Sequence, residues 1–287
     1  MIAVYEKEMR GYFTHVTGYA FATFLLLIIG IWFVISNVRA HNPNFHFVLS
    51  NASIFFFILV PLLTMRLFSE ESKQKTDQLL LSSPLSVFQI VLGKFLAAAS
   101  LFIITTVASV VLPIILGNHG DLPVSVILGT YIGFILLGIS CIAVGVFISV
   151  LTDSQIVAGF ITVGVIFFMY IMDAFVTVLP ITPFASLMFV LFVVLAVSGV
   201  WYNAMRNWLA AVIVGTTALA IAGGLYLVNN LIYDGIMVRV LLWFSIFARF
   251  DNFILGILSL NDVVYYLSFS ALFVYLTINV IEKRRWR

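Results

Sequence analysis

Long apolar runs separated by short polar stretches are the dominant pattern of this chain. An α-helix needs about 20 mostly apolar residues to cross the hydrocarbon of a bilayer. Eight runs reach about that length, which predicts an all-α, polytopic helix bundle within a single domain, residues 1–287. A bundle of six is the alternative, because the sixth and seventh runs are the weakest. The predicted spans are 16–38, 48–67, 87–116, 123–151, 155–179, 184–202, 208–229 and 262–282.

Composition supports a lipid environment for most of the chain. Hydrophobic residues make up 63% and charged residues 9%, against about a quarter charged in a soluble domain. The formal net charge of +2 is too small to indicate nucleic acid as a partner, so membrane lipid is the expected one. The single cysteine, Cys141, lies in an apolar run and is expected to serve packing.

The basic residues predict the orientation of the bundle, because cytoplasmic loops are enriched in Lys and Arg. With the N-terminus inside, eleven basic residues lie at the inner face and three at the outer face. Both termini are therefore expected in the cytoplasm, and the number of spans is expected to be even. The outer residues are Arg39, Arg239 and Arg249; the inner ones include Lys7, Arg10, Arg66, Lys73, Lys75, Lys94, Arg206 and the basic C-terminal end.

The outer-face segment 230–260 differs from a spanning helix. Its core, residues 236–255, carries Arg239, Arg249 and Asp251 among aromatic residues. The uninterrupted apolar part is too short to cross, so we expect a re-entrant or interfacial helix before the last span. An aromatic anchor at the lipid boundary is the simpler reading of the same pattern.

Residues 1–15 predict a short amphipathic helix on the inner membrane surface. Ile2, Tyr5, Met9 and Tyr12 or Phe13 recur at spacings of three and four, and charged residues occupy the other face. Gly11 and Gly18 are expected to allow the bend into the first span. A surface anchor and a docking element both fit this helix.

Residues 68–88 predict a helix–proline–helix elbow between the second and third spans. Ser69 is expected to cap a helix with Glu70 and Glu71 in its first turn, which suits the helix dipole. Leu79, Leu80 and Leu81 give it an apolar end, and Pro84 stops it and starts the next helix. An exposed leucine cluster indicates a docking site, although a solvated connector fits too.

Three stretches of the chain together resemble one family of membrane proteins. They are YEKEMRGYF, the elbow FSEESKQKTDQLLLSSPLSVFQIVLGKFLA, and FDNFILGILSLNDVVYYLSFSALFVYLTINVIEKRRW near the end. In this order they are similar to permeases of the type-2 ATP-binding-cassette (ABC) transporters, in particular the gliding-motility branch. The elbow departs from the branch pattern at Lys75–Gln78, where relatives often have Gly-Thr followed by Glu.

The resemblance implies a subunit of an ATP-driven exporter in the plasma membrane. The N-terminal helix would be the connecting helix, with Tyr5, Glu6, Met9 and Arg10, and the elbow would be the coupling helix. Both would rest on an ATPase subunit, present in two copies, that binds ATP and Mg; a second permease, identical or different, would complete the assembly. The implied ATPase-coupling residues are Glu70, Glu71, Thr76, Asp77, Leu79, Leu80, Pro84, Leu85 and Ser86.

Motifs for catalysis in this chain itself are missing from the sequence. Gly93-Lys94 lacks the rest of a phosphate-binding P-loop, so we expect no nucleotide-binding domain, no cofactor and no enzymatic activity here. The histidines show no metal-type pairing, although His41 and His46 share an outer loop in which a weak metal site would be conceivable.

Asp173 is the only acid well inside a predicted span, and it fits either a structural hydrogen bond or a translocation path. An ion-coupled carrier is the main competing function, but such carriers place polar groups at the midplane, and the predicted spans hold very few. A non-transporting scaffold of a surface machine is the third alternative.

Overall fold

The computed structural model describes residues 1–14, 16–75, 85–117, 122–205, 208–228 and 230–285. Throughout these residues the regular structure is helical, and no strand occurs among them. We number the α-helices in chain order. They are α1 Ile2–Thr14, α2 Val16–Phe33, α3 His46–Ser53, α4 Phe56–Thr64, α5 Ser69–Gln74, α6 Val87–Ala108, α7 Val111–Gly117, α8 Val124–Leu151, α9 Gln155–Val178, α10 Pro183–Met205, α11 Trp208–Val228, α12 Ile236–Phe244, α13 Phe250–Ile254 and α14 Leu260–Arg285.

Five stretches of helix in the described chain are long and apolar enough to cross a membrane. A sixth candidate is the pair formed by α3 and the helical stretch Phe56–Gln74, which is bent by 63°. The chain is therefore a multi-pass membrane protein. The five are Val16–Arg39, Val87–Gly117, α8, α9 and Leu260–Arg284.

The bend in the second predicted span falls between Ser53 and Phe56, and Pro61 lies within α4. At this point the hydroxyl of Ser53 donates a hydrogen bond to the carbonyl oxygen of Ser50 at 2.7 Å. Hydroxyl groups that bond the preceding turn in this way commonly bend helices. A proline is tolerated inside a membrane helix because neighbouring helices and local adjustments satisfy the freed backbone groups.

The chain divides into two compact units. The first unit comprises residues 1–170 and 249–287, and the second comprises residues 171–248. The core of the first unit surrounds α8, most of which is buried. Phe134 on α8 lies 4.8 Å from Phe56 and 5.8 Å from Phe102, measured between ring centroids. Gly138, one turn further, leaves room for the Phe102 ring, which a Cβ atom there would meet at 2.2 Å. The core of this unit is therefore aromatic.

In the second unit, α10 packs against α11. The hydroxyl of Tyr233 donates to the carbonyl of Ala222 on α11 at 2.8 Å. Gly235, with φ of 67°, allows the turn into α12, where the amide of Met237 donates to Ser186 on α10. Tyr233 and Ser186 are buried, so these hydrogen bonds fix the ends of the helices from within.

The expectation of one helix over 236–255 is wrong. The first helix ends at Phe244 and the second begins at Phe250, because Ser245 leaves helical geometry with ψ of 92°. The hydroxyl of Ser245 accepts from the amide of Ala248 at 3.4 Å, so a local bond competes with continuation of the helix.

Candidate functional site: a buried lysine at the base of the elbow

Lys94 on α6 joins the N-terminal helix to the elbow. Its Nζ lies 2.9 Å from Oε1 of Glu8 on α1 and 2.9 Å from Oε1 of Glu71 on α5. It also donates to the carbonyl oxygen of Leu67 at 2.6 Å, at the end of the second span. An ammonium group has three donors, and these contacts use all three. One side chain thus links α1, α5 and α6.

Burial makes this arrangement energetically demanding. The Lys94 side chain is 1% exposed, whereas those of Glu8 and Glu71 keep 18% and 17% exposure. An ion removed from water is tolerated only when its partners and hydrogen bonds are well placed. The Phe68 ring adds a cation–π contact, with Nζ 5.0 Å from its centroid. The charge of Lys94 therefore requires that α1 and α5 remain in position.

The sequence beside Lys94 allows α1 to approach closely. Gly93 faces Val4 of α1, whose Cβ lies 3.0 Å from the position that a Cβ on residue 93 would take. About two turns further along α6, Ser100 accepts a hydrogen bond from the hydroxyl of Tyr5, the residue after Val4, at 3.1 Å. The absence of a side chain at Gly93 thus brings the backbone of α1 within reach of the lysine.

The buried face of α1 differs in part from the predicted apolar face. Val4 and Tyr12 are buried, whereas Ile2 and Phe13 are 68% and 46% exposed. The phenol of Tyr12 donates to the carbonyl of Leu63 at 3.4 Å. Burial raises the pKa of this phenol, and the Glu8 carboxylate raises it further, so it stays a neutral donor. The helix therefore packs on the bundle along one side and leaves Ile2 and Phe13 outward.

The first helix of the elbow, α5, takes its cap from a distant side chain. Phe68 is the N-cap residue of α5, and its side chain makes no capping hydrogen bond. The hydroxyl of Ser69 donates to the carbonyl oxygen of Met65 instead. The prediction that Ser69 caps α5 is therefore wrong. The hydroxyl of Ser149 on α8 accepts from the amides of Phe68 and Ser69, at 3.1 and 3.3 Å. A tertiary partner thus replaces the local cap.

We expect Ser149→Ala to destabilise the protein by about 1–3 kcal/mol, because it leaves buried backbone donors unsatisfied. Ser125→Ala, at an exposed position in the first turn of the same helix, is the matched control and is expected to stay within about 0.5 kcal/mol. Thermal unfolding of the purified variants in one detergent measures both. Equal melting temperatures for the two variants would contradict the capping role of Ser149.

The base of the elbow also contacts the turn after α8 and the last helix. The hydroxyl of Ser72 on α5 donates to Oδ1 of Asp153 at 2.5 Å. Arg284 near the end of α14 lies 3.7 Å from the same carboxylate and 3.4 Å from Ser72. The side chains of Asp153 and Arg284 are 71% and 37% exposed, so this pair contributes less to stability than the buried lysine does.

The third span starts with a complete capping box. Ser86 is the N-cap residue of α6: its hydroxyl accepts from the amide of Gln89 at 3.3 Å, and the Gln89 side chain accepts from the amide of Ser86 at 3.4 Å. Such a box satisfies donors at both ends of the first turn. The start of α6 is thus defined by Ser86, one residue before Val87.

The sequence model of the ABC-2 family transporter proteins matches residues 35–224, about two thirds of the chain. The chain belongs to the ABC-2 transporter family. No curated protein matches it. Membership makes this ABC-2 protein a permease, the membrane subunit of an ABC transporter, and implies association with an ABC ATPase. Of the three stretches that carry the resemblance, the elbow lies within the matched range.

The structure places some of the predicted coupling residues of this ABC-2 chain. Glu71 lies at the buried lysine, and Glu70 accepts from the Gln74 side chain at 3.4 Å. Leu85 is half-buried and Ser86 is exposed. The predicted residues Thr76, Asp77, Leu79, Leu80 and Pro84 lie outside the described residues.

The connecting-helix residues lie on different sides of α1. Tyr5 bonds Ser100, as described above, and Met9 is half-buried. Glu6 and Arg10 are exposed. Asp173 belongs to the second unit; it is half-buried and lies in α9, five residues before the helix ends at Val178.

Lys94 and Glu8 were missed as site residues by sequence reasoning. The signal was present for Lys94, because a charge eight residues into a span needs a partner. Glu8 had no signal of its own, since it follows Glu6 and Lys7 on a helix rich in charges.

A second missed cluster lies at the start of α14. Asp262 is 4% exposed, and its carboxylate lies 3.0 Å from Arg249 and accepts from Asn252 at 2.7 Å. The guanidinium of Arg249 also stacks over the Tyr265 ring at 4.0 Å. These contacts hold α13 against α14, and Gly133 on α8 makes room for Phe253 beside them.

Side chains that could ligate a metal ion are not grouped together in the part of the chain that the structure describes. Within those ranges no group of three or more His, Cys, Asp or Glu side chains is placed to hold a metal ion. The acids that do meet, Glu8 and Glu71, are joined by lysines.

Proposed function

We propose that this chain is the membrane subunit of an ATP-driven exporter in the plasma membrane. Energy comes from a separate ATPase that binds ATP and Mg, and it reaches the spans through the elbow and the N-terminal helix. The observation that carries the proposal is Lys94, buried on α6 and joined to Glu8 on α1 and to Glu71 on α5.

The buried lysine explains how a push on the elbow would reach the spans. Separating α5 from α6 would leave charges buried without partners, which costs about 3–5 kcal/mol in comparable pairs. The base of the elbow, α1 and the inner end of α6 therefore move together. A displacement of the elbow by the ATPase then tilts α6, and the bundle rocks between inward-open and outward-open arrangements.

The proposed assembly has two permeases, identical or different, and two ATPases. In each permease both termini are cytoplasmic, and the spans number eight, or six if α10 and α11 do not cross. The basic residues near the elbow and in the C-terminal end support this orientation. Asp173 is proposed to line the translocation path, consistent with its half-buried position in α9.

The test is transport by the complex recovered from native membranes. We expect a gentle-detergent purification to retain a Walker-type ATPase with this chain, and vesicles holding the complex to move solute only with ATP and Mg. Leu80→Asp is expected to abolish transport while ATP hydrolysis continues, because a carboxylate disrupts an apolar docking surface. Ser82→Asp adds the same charge two residues away and keeps the leucine, so it is the control.

Several outcomes would contradict the proposal. Purification without an ATPase is one, and solute movement that follows an ion gradient without nucleotide is another, because it would indicate a secondary carrier. Equal transport by the Leu80→Asp and Ser82→Asp variants would remove the elbow from the coupling mechanism.

A further inference from the structure

Two neighbouring cavities in the first unit meet at one residue. A polar cleft of about 920 Å³ lies between α1 and the inner end of the second span, beside Lys94. An apolar groove of about 620 Å³ lies between α2, α4 and α9. Leu62 lines both cavities. The polar cleft and the apolar groove are therefore neighbours, with the Leu62 side chain at their boundary.

On α2 and on the second span, the residues that line the polar cleft are followed along one face by residues that line the apolar groove. On α2, Thr17 lines the cleft, and Phe24 and Ile28 line the groove. Spacings of seven and four residues place such positions on the same side of a helix. On the second span, Arg66 lines the cleft, Leu62 follows one turn away, and Ile58 lines the groove. The polar and the apolar lining residues thus follow each other along one side of each helix.

The charges of the cleft are balanced. Lys7 and Lys94 are joined to Glu8 and Glu71, as described above. The remaining charged residues that line the cleft are Arg10, Arg66, Glu6 and Glu70. Neither arginine makes an ion pair within the described ranges. Two cations and two anions suit a ligand that carries a phosphate and an ammonium group.

The groove is open to the outside of the single chain. Phe160 on α9 and Ile58 on α4 are 73% and 54% exposed. In a membrane this space is filled by hydrocarbon, because water has no polar partners there. A hydrocarbon chain suits this groove, and a polar headgroup attached to it would reach the neighbouring cleft.

We propose that this site binds one zwitterionic phospholipid. The phosphate lies between Arg10 and Arg66, the ammonium group faces Glu6 and Glu70, and an acyl chain occupies the groove beside Leu62. Guanidinium groups bind phosphate oxygens in pairs, which gives the headgroup its orientation. The site requires no ATPase and is independent of the proposed transport function.

The headgroup is tested by native mass spectrometry of the purified full chain with added dioleoylphosphatidylethanolamine. Arg10→Gln and Arg66→Gln are each expected to weaken binding about tenfold, the effect of losing one charge-assisted contact. Arg66→Lys, which keeps the charge but not the paired geometry, is expected to bind between wild type and Arg66→Gln. Lys283→Gln removes an exposed charge from α14, away from the cleft lining, and is expected to change nothing.

The tail is tested by filling the groove. Gly159 lines the groove, and a Cβ there would lie at an ordinary contact distance, 3.5 Å, from the sulfur of Met65, so we expect the side chain of Gly159→Leu to occupy the groove. We expect it to weaken phospholipid binding about tenfold, because the acyl chain loses several buried methylene groups. Gly164→Leu, five residues along the same helix with nothing within 4 Å, is the matched control and is expected to bind normally.

Two further probes separate the sources of phosphate. Dioleoylglycerol, which has no phosphate, is expected to bind at least tenfold more weakly than the phospholipid, and soluble phosphoethanolamine is expected not to compete. Competition by phosphoethanolamine together with normal binding by Gly159→Leu would overturn the proposal in favour of a soluble ligand. Normal lipid binding by both arginine variants would overturn the proposal. If these variants also lose the ATPase in the gentle-detergent purification from native membranes, the two arginines contact a protein instead of a lipid. Matching melting temperatures confirm that each variant is folded.

Discussion

Replacing Lys94 by methionine is expected to destabilise the protein by about 3 kcal/mol, the lower end of the range for breaking a buried ion pair. Methionine fills a similar volume, so lost packing contributes little. The cost comes from Glu8 and Glu71, which lose the buried ammonium at 2.9 Å and keep the exposed Lys7, at 3.9 and 3.2 Å, as a cationic partner. Their exposure of 18% and 17% keeps the cost below that of fully buried charges. Thermal or chemical unfolding in one detergent measures the effect.

Partner variants distinguish charge from packing at Lys94. Glu8→Gln and Glu71→Gln, introduced together with Lys94→Met, are expected to restore at least half of the lost stability, because the one charge of the cluster that remains, Lys7, is exposed to water. Lys283→Met, at an exposed lysine on α14, should stay within about 0.5 kcal/mol of wild type. If Lys94→Met were no less stable than Lys283→Met, the buried cluster would have no energetic role.

The helices could be predicted because lipid leaves the backbone few alternatives. Apolar runs of sufficient length must become helices to satisfy their backbone groups, so helix ends follow the polar interruptions. The predicted end at residue 151 and the start at 155 match Leu151 and Gln155, on either side of a short polar turn. Likewise, Val87 begins α6 where the sequence placed it.

The partners of the polar groups could not be predicted, because they are distant in sequence. Glu8 lies 86 residues before Lys94, and Ser149 lies 80 residues after Ser69. The sequence rule for helix caps assigned the cap of α5 to Ser69. In the folded chain the capping hydroxyl belongs to Ser149 on α8. Arg249 was noted in the sequence, but Asp262, which it pairs with, was taken as the first residue of a span.

Gly18→Ala is expected to destabilise the protein by about 2–3 kcal/mol, the upper range for an inserted methyl group in a packed site. A Cβ on Gly18 would lie 2.1 Å from the carbonyl oxygen of Tyr12 and 2.8 Å from its carbonyl carbon. Both atoms belong to the backbone, so no side-chain rotation relieves the collision. α1 would have to move away from α2, which also weakens the Tyr12 hydrogen bond to Leu63 and the contact of Glu8 with Lys94.

Gly30 on the same helix provides the control for this substitution. Nothing lies within 4 Å of a Cβ at that position, so Gly30→Ala introduces the same methyl group without a collision. Because alanine is the better helix former by up to about 1 kcal/mol, Gly30→Ala is expected to be neutral or stabilising. Gly18→Ala should therefore lower the melting temperature, whereas Gly30→Ala should leave it unchanged or raise it. A gain in stability for Gly18→Ala would mean that α1 does not pack against the start of the first span, and the link from the N-terminal helix to Lys94 would lose its geometric basis.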